Sequence, residues 1–188
     1  RTTNGQGQAA DQTWCYLQGL DAGGWHSGAH TGLGLLRLDQ LAHWGMPRGL
    51  VFNLEIKPAP GRESVCGAAV ARAALELWSD GTPLPLLSSF SAEALQAAQE
   101  AAPDLPRAWL LDATSPLDWQ RAHDLGCVAV VLHHSLCSAS VIAQAHHQGL
   151  RALAYTVNDA ARAEQLQHWG IDGIITDAVQ VFSPAKTA

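Results

Sequence analysis

The chain has 188 residues, of which 47% are apolar and 15% are charged. This composition is typical of a globular domain and excludes a disordered tail or a collagen-like rod. The net charge is −6 and the 11 Lys and Arg residues are scattered, which argues against nucleic-acid binding, and no apolar run reaches the roughly 18 residues of a membrane span.

The first 34 residues fit no helix or strand pattern. They are rich in Gly, Thr and Trp, a composition typical of irregular segments. We expect residues 8–34 to form a small insertion within a single domain that covers residues 1–188. The sequence begins at Arg1 and shows no signal peptide, so it constrains the cellular location only weakly.

From about residue 35 onward, short apolar or β-branched runs alternate with longer Ala-, Leu- and Gln-rich runs. The short runs predict strands at Leu50–Lys57, Pro85–Phe90, Arg107–Asp112, Val128–His134, Arg151–Val157 and Ile171–Asp177. The long runs predict helices at Leu35–Trp44, Glu63–Ser79, Ala92–Ala101, Pro116–Leu125, Ala139–Gln148 and Asp159–Trp169. This alternation indicates parallel strands joined by crossover helices.

Capping residues support the helix boundaries. Ser115 followed by Pro116 predicts one helix start, and Asn158 with Asp159 predicts another. Glycines follow the helical runs, as the left-handed position after a helix prefers; these are Gly45, Gly81, Gly126, Gly149 and Gly170.

The six predicted strands fit two α/β architectures. A doubly wound open sheet is complete with six strands. A (β/α)₈ TIM barrel needs eight strands, so in that case about two βα units are absent from the N-terminal end of this chain. The four cysteines (Cys15, Cys66, Cys127 and Cys137) are widely spaced without a CxxC pair, and we expect free thiols in a reducing compartment.

The most informative segment is Leu50–Pro58. If it is a strand, Asn53, Glu55 and Lys57 share one face, because alternate residues of a strand point the same way. Polar residues on one face of a parallel strand are costly unless they line a wet or charged cavity. A carboxylate beside an ammonium group suits a divalent cation and a phosphate. An exposed edge strand with a salt bridge is the alternative.

Polar groups also recur at the carboxyl ends of the other predicted strands, where parallel α/β folds bind ligands. They are Ser88, Ser89, Asp112, His133, His134, Tyr155, Thr156, Thr176 and Asp177. Asp112 and Asn158 serve equally well as helix caps. Because His133 and His134 are adjacent on a predicted strand, we expect them to face opposite ways and not to chelate one ion together.

The remaining His and Trp residues have simpler interpretations. We expect His26, His30, His146 and His147 to be surface groups, and Trp44, Trp78, Trp119 and Trp169 to be packing residues. The sequence has no GxGxxG after a strand, no GxxxxGK[ST], no HExxH and no GxSxG, which argues against a dinucleotide fold, a P-loop enzyme, a zincin and an α/β hydrolase.

Taken together, these residues resemble the bacterial glycerophosphodiester phosphodiesterases, close to their cytosolic branch. The matching segments are Arg1–Gly7, Leu20–Trp25, Asn53–Pro58, Leu87–Phe90, Gln99–Arg107, Tyr155–Asn158 and Gly173–Asp177. They occur in order along essentially the whole chain. The EIKP and YTVN phrases together make the resemblance specific.

The resemblance implies a (β/α)₈ barrel of the phospholipase-C-like phosphodiesterase type and a divalent metal, Mg²⁺ or Ca²⁺. It implies that Glu55 is a metal ligand and that Lys57 contacts the phosphate. Phe90 and Tyr155 are then expected to line the mouth near the glycerol or alcohol moiety. The implied reaction is metal-dependent hydrolysis of a small-molecule glycerophosphodiester to glycerol 3-phosphate and an alcohol, in the cytoplasm.

The chain departs from the family at its start. The family's two catalytic histidines lie in a His-Arg-Gly and a His-Asp phrase that would precede Arg1, as would two further metal carboxylates. The segment between Gly32 and Leu50 is also shorter than is usual in the family. We therefore expect that this chain contains no catalytic histidine, lacks about two βα units and is inactive by itself.

Two other functions are compatible with the same residues. A degenerate, non-catalytic barrel would keep Glu55 and Lys57 to bind phosphate. Another type of barrel enzyme would use Lys57 as a Schiff-base nucleophile, although this leaves Glu55 without a clear role. The sequence does not indicate an oligomeric state.

Overall fold

The computed structural model describes residues 2–79 and 83–182. The chain forms two compact units, Arg1–Leu50 and Val51–Ala188, and each is described by itself. The prediction of a single domain with an insertion at residues 8–34 stays a prediction. Among the helices of the described residues, none is long and apolar enough to cross a membrane.

The first unit contains two short helices, α1 (Trp14–Leu17) and α2 (Leu38–Gly45), with 3-10 turns between and after them. The predicted helix Leu35–Trp44 is therefore confirmed with a later start. The prediction that Gly45 ends this helix in a left-handed conformation is wrong. Gly45 is the last helical residue, with φ −91°, and the chain continues into a 3-10 turn that ends at Gly49, where φ is +68°.

The second unit is built on a parallel sheet of six strands in the order β1 to β6. All six predicted strands are present. They are β1 (Asn53–Glu55), β2 (Leu86–Ser89), β3 (Arg107–Leu111), β4 (Cys127–His133), β5 (Arg151–Tyr155) and β6 (Gly173–Ile174). Every neighbouring pair is parallel, and the sheet curls into a half-barrel.

Five helices connect and cover these strands. They are α3 (Glu63–Leu77), α4 (Ala92–Ala101), α5 (Trp119–Asp124), α6 (Ala139–His147) and α7 (Ala160–His168). Helix α4 occupies the predicted range, and the others are shorter than predicted at one or both ends. Each helix carries the chain back to the start of the next parallel strand. The five described loops that follow the carboxyl ends of strands β1 to β5 therefore lie at one end of the sheet.

The predicted start of α5 at Ser115-Pro116 is wrong. Helix α5 begins at Trp119, and the side chain of Asp118 accepts a hydrogen bond from the backbone N–H of Arg121. The hydroxyl of Ser115 instead donates to the carboxylate of Asp112, at 3.0 Å. This turn keeps the segment before Asp118 out of the helix, and Asp118 supplies the cap.

A cap at Asp159 and three left-handed glycines after helices agree with the prediction. The side chain of Asp159 caps α7. Gly126, Gly149 and Gly170 follow their helices with φ of +60°, +73° and +84°, the left-handed conformation that glycine adopts without strain. Gly81 lies outside the described residues.

The two faces of the sheet have different neighbours. One face packs against the helices, through Leu95 of α4, Ile142 of α6, Leu166 of α7 and the β4 residues Val130 and Leu132. The opposite face carries Ala108, Leu110, Ala129 and Val131, and among the described residues this cluster packs with hydrophobic side chains of the strands and strand ends. Because a doubly wound sheet carries helices on both faces, this one-sided arrangement and the consecutive strand order favour the barrel architecture. We call the helix-free face the inner face.

The tryptophans follow the packing prediction with one exception. Trp78 is 2% exposed, and Trp119 and Trp169 pack against the core that lies under the helices. Trp44 is 54% exposed, and the guanidinium of Arg48 lies over its ring at 4.9 Å, so the prediction that Trp44 is a packing residue is wrong. All four cysteines are free thiols.

Candidate active site

Strand β1 has the polar face that its sequence predicts. Glu55 is exposed, whereas its neighbour Ile56 is only 2% exposed. The carboxylate of Glu55 forms a salt bridge with the ammonium group of Lys57 at 3.3 Å. This salt bridge also agrees with the edge-strand alternative, because among the described strands β1 pairs only with β2. The rest of the inner face distinguishes the two interpretations.

Strand β2 places two serines on opposite faces. Glu55 is paired in register with Ser88, and Ser88 is paired with Ala108 of the inner-face cluster, so both residues belong to the inner face. Ser88 is fully buried, and its hydroxyl has no hydrogen-bond partner among the described residues. The hydroxyl of Ser89 donates to the carbonyl oxygen of Ile56 at 2.8 Å and accepts from the backbone N–H of Ser91 at 3.0 Å. Ser89 therefore ties the end of β1 to β2 and has a structural role.

Three aromatic side chains meet above the carboxyl ends of β2, β4 and β5. The ring centroids of Phe90 and Tyr155 are 5.8 Å apart, and those of His133 and Tyr155 are 5.6 Å apart, both in edge-to-face geometry. His133 and Tyr155 are paired in register, and Tyr155 packs on the inner-face cluster. We call Phe90, His133 and Tyr155 the ring cluster.

The electrostatics connect β1 to the ring cluster. Burial raises the pKa of the Tyr155 hydroxyl, and the negative charges of Asp112 and Glu55 raise it further. A charge on Glu55 therefore acts on a side chain four strands away in the sheet order. The ring contacts and this proximity of charges together favour a shared site on the inner face over an isolated salt bridge on an edge strand.

Asp112, at the end of β3, caps a turn and not a helix. Its carboxylate accepts hydrogen bonds from the backbone N–H and the hydroxyl of Thr114, both at 2.8 Å. The backbone N–H of Thr114, then the hydroxyls of Thr114 and Ser115, lower the pKa of this carboxyl. Asp112 is thus a fixed negative charge near Tyr155.

The prediction that His133 and His134 face opposite ways is wrong. Their ring centroids are 4.6 Å apart, with an angle of 32° between the rings. Strand β4 ends at His133 and a 3-10 turn begins at His134, so the alternation of a strand no longer applies. Burial lowers the pKa of His134, and the nearby His133 and Arg162 lower it further.

Sequence reasoning missed Arg162. This α7 side chain donates hydrogen bonds to the carbonyl oxygens of His134 and Cys137, and its guanidinium lies over the ring of Trp169 at 5.0 Å. It therefore holds the loop that follows β4. An arginine in the first turn of a helix carries no sequence signal for this role, because the contact joins residues 25 and 28 positions apart.

Polar residues at the ends of β5 and β6 bind one another. The side-chain oxygen of Asn158 accepts from the hydroxyl of Thr176 at 3.0 Å and from the backbone N–H of Asp177 at 2.9 Å. These bonds join the two strand ends, so Asn158 is neither a helix cap nor an open ligand site. Elsewhere, His146 pairs with Asp172 at 2.8 Å, while His26, His30 and His147 are exposed as expected.

The fit of a divalent metal to these residues is partial. Glu55 presents an exposed carboxylate on the inner face, and hard divalent cations bind such oxygens. Within the ranges 2–79 and 83–182, however, no three His, Cys, Asp or Glu side chains are grouped so that they could hold an ion. Glu55 can therefore supply one ligand, and the described residues do not complete the site.

The chain is similar in sequence to proteins of one known family. Residues 1–181 match the model of the glycerophosphoryl diester phosphodiesterase family. The glycerophosphodiester phosphodiesterase of Bacillus subtilis is 27% identical over 202 residues, with 99% of this chain and 68% of that protein covered. The Bacillus subtilis protein YhdW is 29% identical over 182 residues, with 94% and 72% covered.

Solved structures agree with these matches. A phosphodiesterase from Oleispira antarctica, in complex with the product sn-glycerol-3-phosphate, has a TM-score of 0.84 at 28% identity, with 94% of this chain and 71% of that chain covered. A glycerophosphodiester phosphodiesterase from Agrobacterium tumefaciens has a TM-score of 0.75 at 23% identity, with 94% and 73% covered, and shows the shared fold. The chain belongs to the glycerophosphoryl diester phosphodiesterase family, an enzyme family that hydrolyses glycerophosphodiesters.

Proposed function

We propose that the full-length protein hydrolyses glycerophosphodiesters to glycerol 3-phosphate and an alcohol in a divalent-metal-dependent reaction. One observation carries this proposal: the Glu55–Lys57 pair and the ring cluster occupy the carboxyl ends of strands on one inner face. Family membership supports the reaction class. The sheet order supports the further proposal that the six strands are part of a (β/α)₈ barrel of the phospholipase-C-like phosphodiesterase type. The cytoplasmic location stays a prediction of the resemblance.

Lys57 has the chemistry of a phosphate contact. Its side chain is 76% exposed and carries a positive charge beside Glu55. A phosphodiester carries one negative charge that repels nucleophiles, and a cation at this position offsets that charge as the transition state forms. The Schiff-base alternative is disfavoured, because Lys57 is exposed and ion-paired, whereas a nucleophilic lysine needs a desolvated pocket or a neighbouring cation.

Glu55 is proposed as one ligand of the metal. When bound, a divalent cation would neutralise the diester and act as a Lewis acid on it. Glu55 itself holds Lys57 in place through the salt bridge at 3.3 Å. Phe90 and Tyr155 are proposed to pack against the glycerol or alcohol moiety, since Phe90 is 45% exposed and the two rings are in contact.

The test is a Glu55→Gln substitution in the full-length protein, which keeps the side-chain shape and removes the charge. We expect glycerol 3-phosphate release to fall about a hundredfold or more, and calorimetric titration with Mg²⁺ and with Ca²⁺ to show weaker binding. Glu164→Gln, an exposed position on α7, is the matched control and should change neither quantity. Wild-type activity in Glu55→Gln would reject the assignment of Glu55.

The degenerate-barrel alternative makes a different prediction. A protein of that kind binds glycerol 3-phosphate with an affinity that Lys57→Gln reduces, but it releases no product from any glycerophosphodiester. Product release by the wild-type protein excludes this alternative.

A further inference from the structure

The ring cluster contains one polar atom without a partner among the described residues. Phe90 has no polar side-chain atom, and the hydroxyl of Tyr155 donates to the carbonyl oxygen of Leu111 at 3.1 Å. In the part of the chain that the structure describes, the ring of His133 forms hydrogen bonds only through Nδ1. Nε2 of His133 is therefore the atom with which this cluster can bind a ligand.

The neighbouring serine determines which nitrogen of His133 carries the proton. The backbone N–H of Ser135 donates to Nδ1 at 3.3 Å, and the hydroxyl of Ser135 lies 2.8 Å from the same atom. Because a backbone N–H can only donate, Nδ1 must keep its lone pair. In the neutral ring the proton then resides on Nε2, which is a hydrogen-bond donor.

We propose that His133 is a specificity residue whose Nε2–H donates a hydrogen bond to a hydroxyl oxygen of the glycerol moiety. This inference rests on the proposed function and extends it to the recognition of the substrate. The exposed ring of Phe90 and the ring of Tyr155 offer apolar surface to the carbon chain of a polyol. An N–H donor beside that surface suits a hydroxyl oxygen, whereas the charged phosphate suits Lys57, which follows β1, three strands away from β4.

Two substitutions separate the roles of the two ring nitrogens. In His133→Asn, the amide oxygen can still accept from the Ser135 N–H, but the distant donor is lost. In His133→Gln, the longer side chain can place an amide N–H close to the position of Nε2. The substrates are glycerophosphocholine, which contains the glycerol hydroxyls, and bis(p-nitrophenyl) phosphate, which has none.

We expect His133→Asn to lower kcat/KM for glycerophosphocholine about tenfold, the effect of one lost hydrogen bond, through a higher KM. Its kcat/KM for bis(p-nitrophenyl) phosphate should stay within about twofold of wild type, and His133→Gln should recover part of the loss. An equal decrease for both substrates would indicate a merely structural role and overturn the proposal, as would no decrease for either.

A binding measurement keeps this test separate from the test of the proposed function. Long-range ¹H–¹⁵N NMR of the histidine rings should show a protonated Nε2 and an unprotonated Nδ1 in His133, with Nε2 shifting on titration with glycerol and with glycerol 3-phosphate but not with inorganic phosphate. A proton on Nδ1, or no shift with either polyol, overturns the proposal. If the wild-type protein hydrolyses no diester, the proposed function fails, and the glycerol titration alone decides the role of His133.

Discussion

The hydroxyl of Tyr155 donates a hydrogen bond to the carbonyl oxygen of Leu111 at 3.1 Å, and the two residues are 44 positions apart in the chain. Leu111 ends β3 and Tyr155 ends β5, so the bond passes over the end of the intervening strand β4. It ties the carboxyl ends of β3 and β5 together. It also occupies the only hydrogen that the Tyr155 side chain can donate.

This relationship predicts the effect of Tyr155→Phe. The ring surface remains and one hydrogen bond is lost, so the free energy of unfolding should fall by about 1 kcal/mol while glycerophosphodiester hydrolysis stays within about threefold of wild type. Urea denaturation and initial-rate assays check both values. Tyr155→Ala, which also removes the ring, should raise KM. A large loss of kcat in Tyr155→Phe would show that the hydroxyl takes part in the chemistry.

Arg107 lies at the opposite end of the sheet, and we expect it to contribute strongly to the stability of the fold. The side chain is 5% exposed, and burial lowers the pKa of its guanidinium. Its nitrogens donate to the backbone carbonyl oxygens of Pro103, Leu105, Leu125 and Gly126 at 2.6–3.1 Å. One planar side chain thus provides hydrogen bonds for backbone carbonyl groups of the loops that precede β3 and β4.

Arg107→Met leaves these buried carbonyl groups unpaired. We expect the free energy of unfolding to fall by about 3 kcal/mol or more. Arg107→Lys should recover little, because an ammonium group lacks the planar fork. Arg121→Met, at an exposed position on α5, is the control. Similar denaturation midpoints for Arg107→Met and Arg121→Met would contradict this account.

Gly67 allows α3 to approach α4 closely. A Cβ atom added at Gly67 would lie 2.1 Å from the backbone oxygen of Ala94, so Gly67→Ala must separate the two helices. Although alanine normally favours a helix over glycine, we expect a loss of about 1–3 kcal/mol from overpacking, measured by thermal unfolding. Gly28→Ala is the control, because nothing lies within 4 Å of its added Cβ. A stabilised Gly67→Ala variant would show that the helices separate without cost.

Asp172 makes stability depend on pH in the acid range. Its carboxylate accepts from the backbone N–H of Ala152 and from Nε2 of His146, both at 2.8 Å. Burial alone would raise the pKa of Asp172, but the Ala152 N–H, His146 and Arg151 outweigh it, so the pKa is lowered from 3.8. Because the folded-state pKa lies below the unfolded one, the resulting stability is present above about pH 4 and is lost as pH falls through the folded-state value.

Asp172→Asn removes this dependence. We expect the variant to be less stable than wild type at pH 7 and to lose less stability than wild type between about pH 4 and pH 2. Urea denaturation across that range measures both effects. Asp104→Asn, at an exposed loop position, should follow the wild-type curve. Parallel curves for Asp172→Asn and wild type would show that this carboxylate contributes no acid-range stability.

Most secondary structure could be predicted because its signals are local. All six strands appear where apolar or β-branched runs occur, and three of the glycines expected after helices have left-handed φ values. The start of α5 could not be predicted from Ser115 and Pro116. The carboxylate of Asp112 binds the Ser115 hydroxyl, and this competing turn chemistry is as compatible with the sequence as a helix cap.

The candidate site was predictable in part for a similar reason. The polar face of β1 follows from the two-residue period of a strand, and Glu55 and Lys57 do lie together at 3.3 Å. The adjacency of the His133 and His134 rings depends on where β4 ends. Sequence alternation cannot show that boundary, because the 3-10 turn that follows has no distinct composition.

Periodicity and short motifs act over a few residues. For this reason the amino-acid sequence is enough to indicate the parallel α/β architecture, the polar face of β1 and the resemblance to a phosphodiesterase family. Three features depend on the folded chain: the helices cover one face of the sheet, Arg162 holds the loop after β4, and the Tyr155 hydroxyl donates a hydrogen bond to the carbonyl oxygen of Leu111. Those contacts join residues far apart in the chain, and chain folding alone brings their side chains within bonding distance.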